Sequence, residues 1–518
     1  MGDAHALVGR GRERARADPR DRRVLMATQT EVPQARAPEA DGPEPSRGRL
    51  CDVAVVGVPA AVALVLCLID VTSRSLWLDE AATVAIAGQH GSAFWHAAAH
   101  DGGNMIGYYA LLHALTGWFG DGAFAIRLPS VIASGAAAGA VALLGLRLFD
   151  RRVALAAGLL AAVSLPLVFW GQDARGYAAM VALVAGSFVA FAALVESGGR
   201  RAWIAYVLLT ALSVYASFVA IFAVAAQLVL LPSRPHAWRR VATALGACAV
   251  CWIPLAVLAL SRGSNQLFWI ARPNLTAEKQ VVLALTSAGF EPNFRPTAAA
   301  GALAVGTVAL LVIAAARIAR RPHWGAALAL SWLVVPLALM WLESLVGQPI
   351  FTARNLLVSL PAVALLLGWV IMSTRVPPAA AWLAVGVLIA FRAVALAPSY
   401  GTSPENWRAA TAYVLNAAEP GDCFAFFPLD ASMPFDYYAA RPVQPHVEQY
   451  ETPTVPAGCS RVWLVASHQG LPTGGTATSR AHYAQYAALR ASLARRYPTH
   501  TTRSFGYASV IWVELFRR

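Results

Sequence analysis

Lysine is almost missing from this sequence: Lys279 is the only one. The basic excess, a formal net charge of +13 with a pI near 9.9, is therefore carried by arginine. Much of that arginine lies in the N-terminal tail and in short loops between apolar runs. A nucleic-acid groove would need its charge along one face, whereas this placement follows the positive-inside pattern of membrane proteins. Charge of either sign is also scarce, at 13% of residues beside 58% hydrophobic, where an ordinary soluble domain has about a quarter charged. No glycine-rich phosphate loop opens a helix, and the loops on the basic side leave little room for a nucleotide-binding domain. No small-residue cleavage pattern follows the first apolar run, which starts far from the first residue, so that run reads as a retained helix and not as a signal peptide.

What is present in abundance is apolar sequence in runs long enough to cross a bilayer, which takes about 20 residues. Such runs cover 51–71, 128–146, 153–170, 177–195, 241–260, 299–316, 325–346, 356–374 and 378–397. A further run, 203–231, is too long for one upright crossing and short for two. Arg200 and Arg201 precede it and Arg234, Arg239 and Arg240 follow it. If both clusters are cytoplasmic, the run crosses twice and turns near Tyr215-Ala216-Ser217 on the outer side. The reading is then an α-helical polytopic membrane protein of about eleven spans. Residues 1–50 form a disordered Arg-rich cytoplasmic tail, serving as an orientation signal or as an anionic-lipid contact. Residues 51–397 are the transmembrane domain.

Residues 398–518 hold more charge and no spanning run, and read as a small extracytoplasmic α/β domain. Helices are expected at 407–418 and 477–495 and strands at 423–427 and 462–466. Cys423 and Cys459 belong to this part and are free to pair in an oxidising compartment; the sequence leaves open whether they do. Cys51, Cys67, Cys248 and Cys251 sit in apolar runs and read as packing residues.

This topology puts 72–127, Gly171-Gln172-Asp173-Ala174-Arg175, 261–297 and 347–355 on the outer side. There the adjacent carboxylates Asp79 and Glu80 have two readings. One is a general base with a helper, since neighbours on a helix point about 100° apart and cannot serve one reactant equally. The other is an acid pair favoured by a helix N-terminus. Arg175 and Arg354 carry planar forks suited to a phosphate, while Arg127 reads as a snorkelling residue or a loop ion pair. His96, His100 and His113 stand at irregular spacing, more in keeping with packing or donor contacts than with a divalent ion. No cofactor is required, although a divalent metal stays open.

Four ordered stretches carry a resemblance: Trp77-Leu78-Asp79-Glu80; Asn104-Met105-Ile106-Gly107-Tyr108-Tyr109 running on to His113; Phe124-Ala125-Ile126-Arg127-Leu128-Pro129; and Gln172-Asp173-Ala174-Arg175-Gly176-Tyr177. Arg354 with Leu356, Leu357 and Leu360-Pro361-Ala362, and Glu405-Asn406-Trp407-Arg408 with Gly421-Asp422, extend it. The series resembles the GT-C glycosyltransferases, most closely the group of protein O-mannosyltransferases and bacterial lipid A aminoarabinose transferase, over about residues 70–430. The resemblance implies a GT-C fold and an inverting transfer of a sugar from a polyprenyl-phosphate donor to a glycan or glycolipid acceptor at the outer face of the cytoplasmic membrane. Mannose is the first expectation for the sugar and arabinose the second.

By the same resemblance Asp79 is the base and Glu80 its helper, Arg175 and Arg354 hold the donor phosphate, and Asp173, His100, Asn104 and Tyr109 contact substrate. Asn104-Met105-Ile106-Gly107 replaces the family's His-Pro-Pro, and Arg354-Asn355 replaces its Arg-Tyr, which bears on the choice of sugar. A transporter or flippase of lipid-linked sugars is the alternative class. Such proteins show internal repeats and mid-span charges, and neither stands out here.

Overall fold

In hydrocarbon a spanning segment must satisfy its own backbone N–H and C=O groups, so long apolar runs fold as helices. The computed structural model describes residues 45–262, 270, 272–290, 297–440, 442–443, 455, 458–473 and 476–518. Positions 1–44 of the expected tail lie outside the described residues, as do 263–269, 271 and 291–296 of the 261–297 loop.

In chain order come α1 (Pro45–Leu68), three short helices α2 (Leu78–Ala87), α3 (Ser92–His100) and α4 (Ile106–Phe119), and then α5 (Ala123–Leu148). These are followed by α6 (Arg151–Ala162), α7 (Leu165–Gly171), α8 (Tyr177–Glu196), α9 (Arg200–Ala216), α10 (Ile221–Val229), α11 (Trp238–Arg262) and α12 (Leu275–Leu285). The last four of the bundle are α13 (Ala298–Arg320), α14 (Trp324–Val346), α15 (Leu360–Met372) and α16 (Pro378–Leu396).

Among the described residues, 8 helices are long and apolar enough to cross a membrane, or up to 9 when α6 and α7, bent by 57°, count as one span. The eleven expected from sequence exceed this because the 203–231 run divides. Ser217 takes extended backbone (φ −167°, ψ 133°), leaving α9 with 17 residues and α10 with 9. That break falls at the turn the charge pattern called for. The bend between α6 and α7 follows from Pro166, which enters the first turn of α7 without an N–H to continue the helix from α6.

Every residue of α15 from Leu360 to Ile371 is buried, so this helix is the axis of the bundle. Trp332 of α14 stacks on Phe188 of α8 at 3.8 Å and donates its indole N–H to the Val358 carbonyl at 2.8 Å. Gly135 and Gly139, four apart on α5, let α1 approach: a Cβ at Gly135 would stand 2.6 Å from Leu64 Cγ.

Beyond the bundle, α17 (Trp407–Ala417), α18 (Ser432–Ala439) and α19 (Ala477–Arg496) accompany a four-stranded sheet. Its strands are β1 (Asp422–Phe427), β2 (Arg461–Ala466), β3 (Thr499–Phe505) and β4 (Ile511–Arg517), in the order β1-β2-β4-β3. β1 and β2 are parallel and the other pairs antiparallel. Side chains alternate across a strand. Phe424 and Phe426 therefore pack with Trp407 and Val414 of α17 on one face. Cys423, Ala425 and Phe427 face Leu489 and Leu493 of α19 on the other. Both faces are covered, which is why β1 reads as an unbroken apolar run. Cys423 and Cys459 are joined in a disulfide on the α19 face.

Candidate active site

The short helix α2 brings the acidic pair to the point where the bundle meets the sheet domain. Its first N–H groups have no partner within the helix, and the preceding residue, Trp77, offers no side-chain oxygen as a cap. The cap comes instead from the far end of the chain: Glu405 Oε2 accepts from Leu78 N at 3.0 Å. The same oxygen accepts from the Trp407 indole at 2.9 Å, and Oε1 lies 3.2 Å from His468 Nε2. The segment leading into α2 is held by the same domain. Arg408 donates to the carbonyls of Ser73 and Thr72, both at 2.9 Å, and the Tyr438 hydroxyl accepts from Leu76 N at 2.7 Å.

On this platform Asp79 and Glu80 diverge. Glu80 is fully buried, and both its oxygens take a parallel fork from Arg127 at 2.7 Å each. It also accepts from Ala174 N at 2.9 Å. Arg127 in turn donates to the carbonyls of Val71 and Arg74 at 2.7 and 3.0 Å, so the pair ties α2, α5, the segment between α1 and α2 and the 172–175 loop into one knot. Of the two readings of Arg127, the geometry is that of an ion pair, far deeper than a loop would place it.

The Asp79 side chain keeps 31% exposure and faces two arginines from other parts of the chain. Arg354 Nη1 donates to Asp79 Oδ2 at 3.0 Å, and Arg175 Nη2 stands 3.7 Å from the same oxygen. Burial would raise the Asp79 pKa, but Arg175, Arg354 and His468 outweigh it and hold the carboxyl below its ordinary value. Arg175 also donates to Thr83 Oγ1 at 3.0 Å and to the Tyr109 hydroxyl at 3.3 Å. The Tyr109 hydroxyl donates to Asp101 Oδ2 at 2.6 Å, and burial pushes the Asp101 carboxyl up.

Of the residues named from sequence, Asp79, Arg175, Arg354 and Tyr109 thus meet at one spot. Glu80 and Asp173 lie in the layer beneath it. Asp173 is fully buried and accepts from the Trp77 indole at 2.8 Å, while its Oδ1 has no partner among the described residues. Burial and the neighbouring Glu80 push its carboxyl well above the usual range. His100 ends α3 in an exposed position one residue before Asp101. Asn104 is turned elsewhere: its Oδ1 accepts from Phe218 N at 3.1 Å and fastens the break between α9 and α10. His113 Nδ1 donates to the Ala87 carbonyl at 2.7 Å and the ring packs on Phe94, and among the described residues no three His, Cys, Asp or Glu converge as metal ligands.

Three residues near the site were not foreseen as site residues. Arg74 is buried and donates to the carbonyls of Phe169 and Gln172, supporting the loop that carries Asp173 and Arg175. Glu405 was visible as part of a motif, though not as a helix cap. His468, in the left-handed region at φ 52°, follows β2 in a loop with no periodicity to betray it. Its pKa would fall with burial, but Glu405 raises it above the ordinary value.

Residues 105–262 match the family model described as dolichyl-phosphate-mannose-protein mannosyltransferase. No curated protein matches the chain. Among solved structures it is similar to ArnT from Cupriavidus metallidurans bound to undecaprenyl phosphate, with 13% identity, a TM-score of 0.57, and coverage of 89% of this chain and 98% of that one. The apo state of ArnT aligns with 14% identity, a TM-score of 0.53, and coverage of 90% and 98%. The oligosaccharyltransferase AglB from Archaeoglobus fulgidus, in complex with an inhibitory peptide and a dolichol-phosphate, aligns with 14% identity, a TM-score of 0.51, and coverage of 90% and 74%. The chain is thus similar in fold to ArnT and AglB over most of its length, and residues 105–262 within it match a mannosyltransferase family model.

Proposed function

We propose that this protein transfers a sugar, with inversion, from a polyprenyl-phosphate donor to a hydroxyl of a cell-envelope glycan or glycolipid, with Asp79 as the general base. The observation that carries the reading is the half-open Asp79 carboxylate set between the guanidiniums of Arg354 and Arg175. The undecaprenyl phosphate bound to ArnT and the dolichol-phosphate bound to AglB support a lipid phosphate as the group these arginines meet.

Paired with two cations, Asp79 is a poor base, because opposite charge stabilises its ionised form. A donor phosphate arriving at Arg354 and Arg175 competes for the same forks. As it takes them, Asp79 loses its counter-ions, its pKa rises, and it becomes able to accept the acceptor's proton. The acceptor oxygen then forms its bond to the anomeric carbon from the face opposite the phosphate. The bond from that carbon to the phosphate oxygen breaks with its electron pair, and the departing charge is stabilised by the two arginines. Glu80 serves by holding α2 and the 172–175 loop in place, Tyr109 and Asp101 by fixing Arg175, Asp173 by holding the Trp77 indole from beneath, and His100 by lining the donor side. Mannose remains the first choice of sugar and arabinose the second.

The same reading puts the site, the sheet domain and the C-terminus outside the cytoplasmic membrane and the N-terminus inside. The Cys423–Cys459 disulfide supports that side, since such bridges persist in oxidising compartments. The test is to incubate the purified protein with a panel of polyprenyl-phosphate sugars and an envelope-glycan acceptor, and to measure released polyprenyl phosphate. Release with one donor, dependent on acceptor, is expected; no release with any donor would count against the proposal.

A further inference from the structure

At the end of the bundle opposite the candidate site, a groove of about 490 Å³ runs between α5, α8 and α9. Its walls are Ala140 and Leu143 of α5, Gly186 and Val189 of α8, and Ala205 and Leu209 of α9. Small residues open it and the larger ones line it with hydrocarbon. Arg147 and Arg201 stand in its polar end together with Ser197 and Gly199. Arg127 lies in the site and Arg147 is 20 residues further along the same helix, which at 1.5 Å per residue separates the two ends by about 30 Å, the thickness of a bilayer's hydrocarbon core.

Charge at that end is weighted toward cations. Arg147 is 3.6 Å from Glu196, which takes up part of its charge. Arg201 is exposed and opens α9 beside Arg200. Arg240 adds a third guanidinium, packed so closely over the turn at Gly198 that a Cβ there would stand 2.0 Å from its Nη1. The N-cap of α9 is Gly199, with no side chain to satisfy the first N–H groups of the helix. Those N–H groups and the positive end of the helix dipole add to the pull on an anion at the same spot.

We propose that this groove binds one anionic phospholipid of the leaflet on the Arg147 side. Its phosphate meets Arg201 and the start of α9, and one acyl chain lies along Leu143, Val189 and Leu209. The argument for this occupant is charge complementarity at the mouth combined with an apolar channel of bilayer orientation. The inference is independent of the sugar-transfer reading, because it concerns the other face of the membrane and is measured by binding.

The test uses the purified full chain, with phosphatidylglycerol and phosphatidylcholine of matched acyl chains as probes and native mass spectrometry to count retained lipid. Retention of one phosphatidylglycerol in preference to phosphatidylcholine is expected. Arg201→Gln should cut that preference about fivefold, the worth of one basic residue near an anionic surface. Ala205→Phe, which fills the channel, should lower retention of both lipids while the protein elutes as before. Equal retention of the two lipids, an Arg201→Gln preference equal to wild type, or a groove filled by a second copy that dissociates on Ala205→Phe would each overturn the proposal.

Discussion

Asp79 and Glu80 are neighbours in one helical turn, yet the fold treats them oppositely. Glu80 has no exposure, two equal 2.7 Å bonds to Arg127 and a backbone N–H to complete its shell. Asp79 has 31% exposure, one 3.0 Å bond to Arg354 and a looser approach from Arg175 at 3.7 Å. A closed pair such as Glu80–Arg127 cannot exchange partners without unfolding its surroundings. An open one can give its arginines to an incoming anion. The difference separates a carboxylate locked into the fold from one left open to an incoming anion.

The largest effect expected from breaking the comparison is on the closed side. Arg127→Ala leaves the buried Glu80 carboxylate without its counter-ion, which costs about 3–5 kcal/mol. Thermal unfolding of the purified variant should show that loss, with little folded protein recovered. Arg127→Ala as stable as wild type would mean that the Glu80–Arg127 pair does not hold the site together, and the contrast would fail.

On the open side, Arg354→Gln removes one of the two forks. Polyprenyl-phosphate affinity measured by titration should fall by about 10-fold or more, the cost of about 1.5–3 kcal/mol for a charge-assisted bond. Stability should change by less than about 1 kcal/mol, because the pair with Asp79 is partly exposed.

A smaller effect sharpens how the sheet domain takes part. Glu405→Ala removes the cap on α2 and should cost about 1 kcal/mol. The His468 pKa is raised by Glu405, so this contact stabilises the fold fully below about pH 6.5, the ordinary histidine value, and is lost as pH rises through the raised value. His468→Gln should therefore flatten the fall in stability on the alkaline side, while on the acid side Arg175 and Arg354 still hold the Asp79 carboxyl down. An unaltered alkaline limb would remove His468 from the account.

The legible parts of the molecule are those in which one physical demand dominates. Spans such as α8 and α15 were readable because crossing hydrocarbon needs a long apolar run, and β1 and β2 because both sheet faces are covered. The edge strand β3, Thr499–Phe505, is exposed along nearly its whole length and carries no apolar pattern to read. The α6–α7 bend had a signal in Pro166, but an unbroken apolar run concealed it. Asp79, Arg175 and Arg354 each stand in a motif, whereas the pairings that hold the site were not legible. Glu80 with Arg127, and Glu405 with Leu78, are joined across separations of 47 and 327 residues that no local pattern encodes.

The most direct measurement is the transfer rate of purified, folded Asp79→Asn with the donor that the wild-type enzyme uses. Loss of a general base predicts a fall of about 10²–10⁴-fold. Polyprenyl-phosphate binding should be kept or tightened, since the carboxylate no longer competes for Arg354 and Arg175. Transfer within a few-fold of wild type would contradict Asp79 as the base.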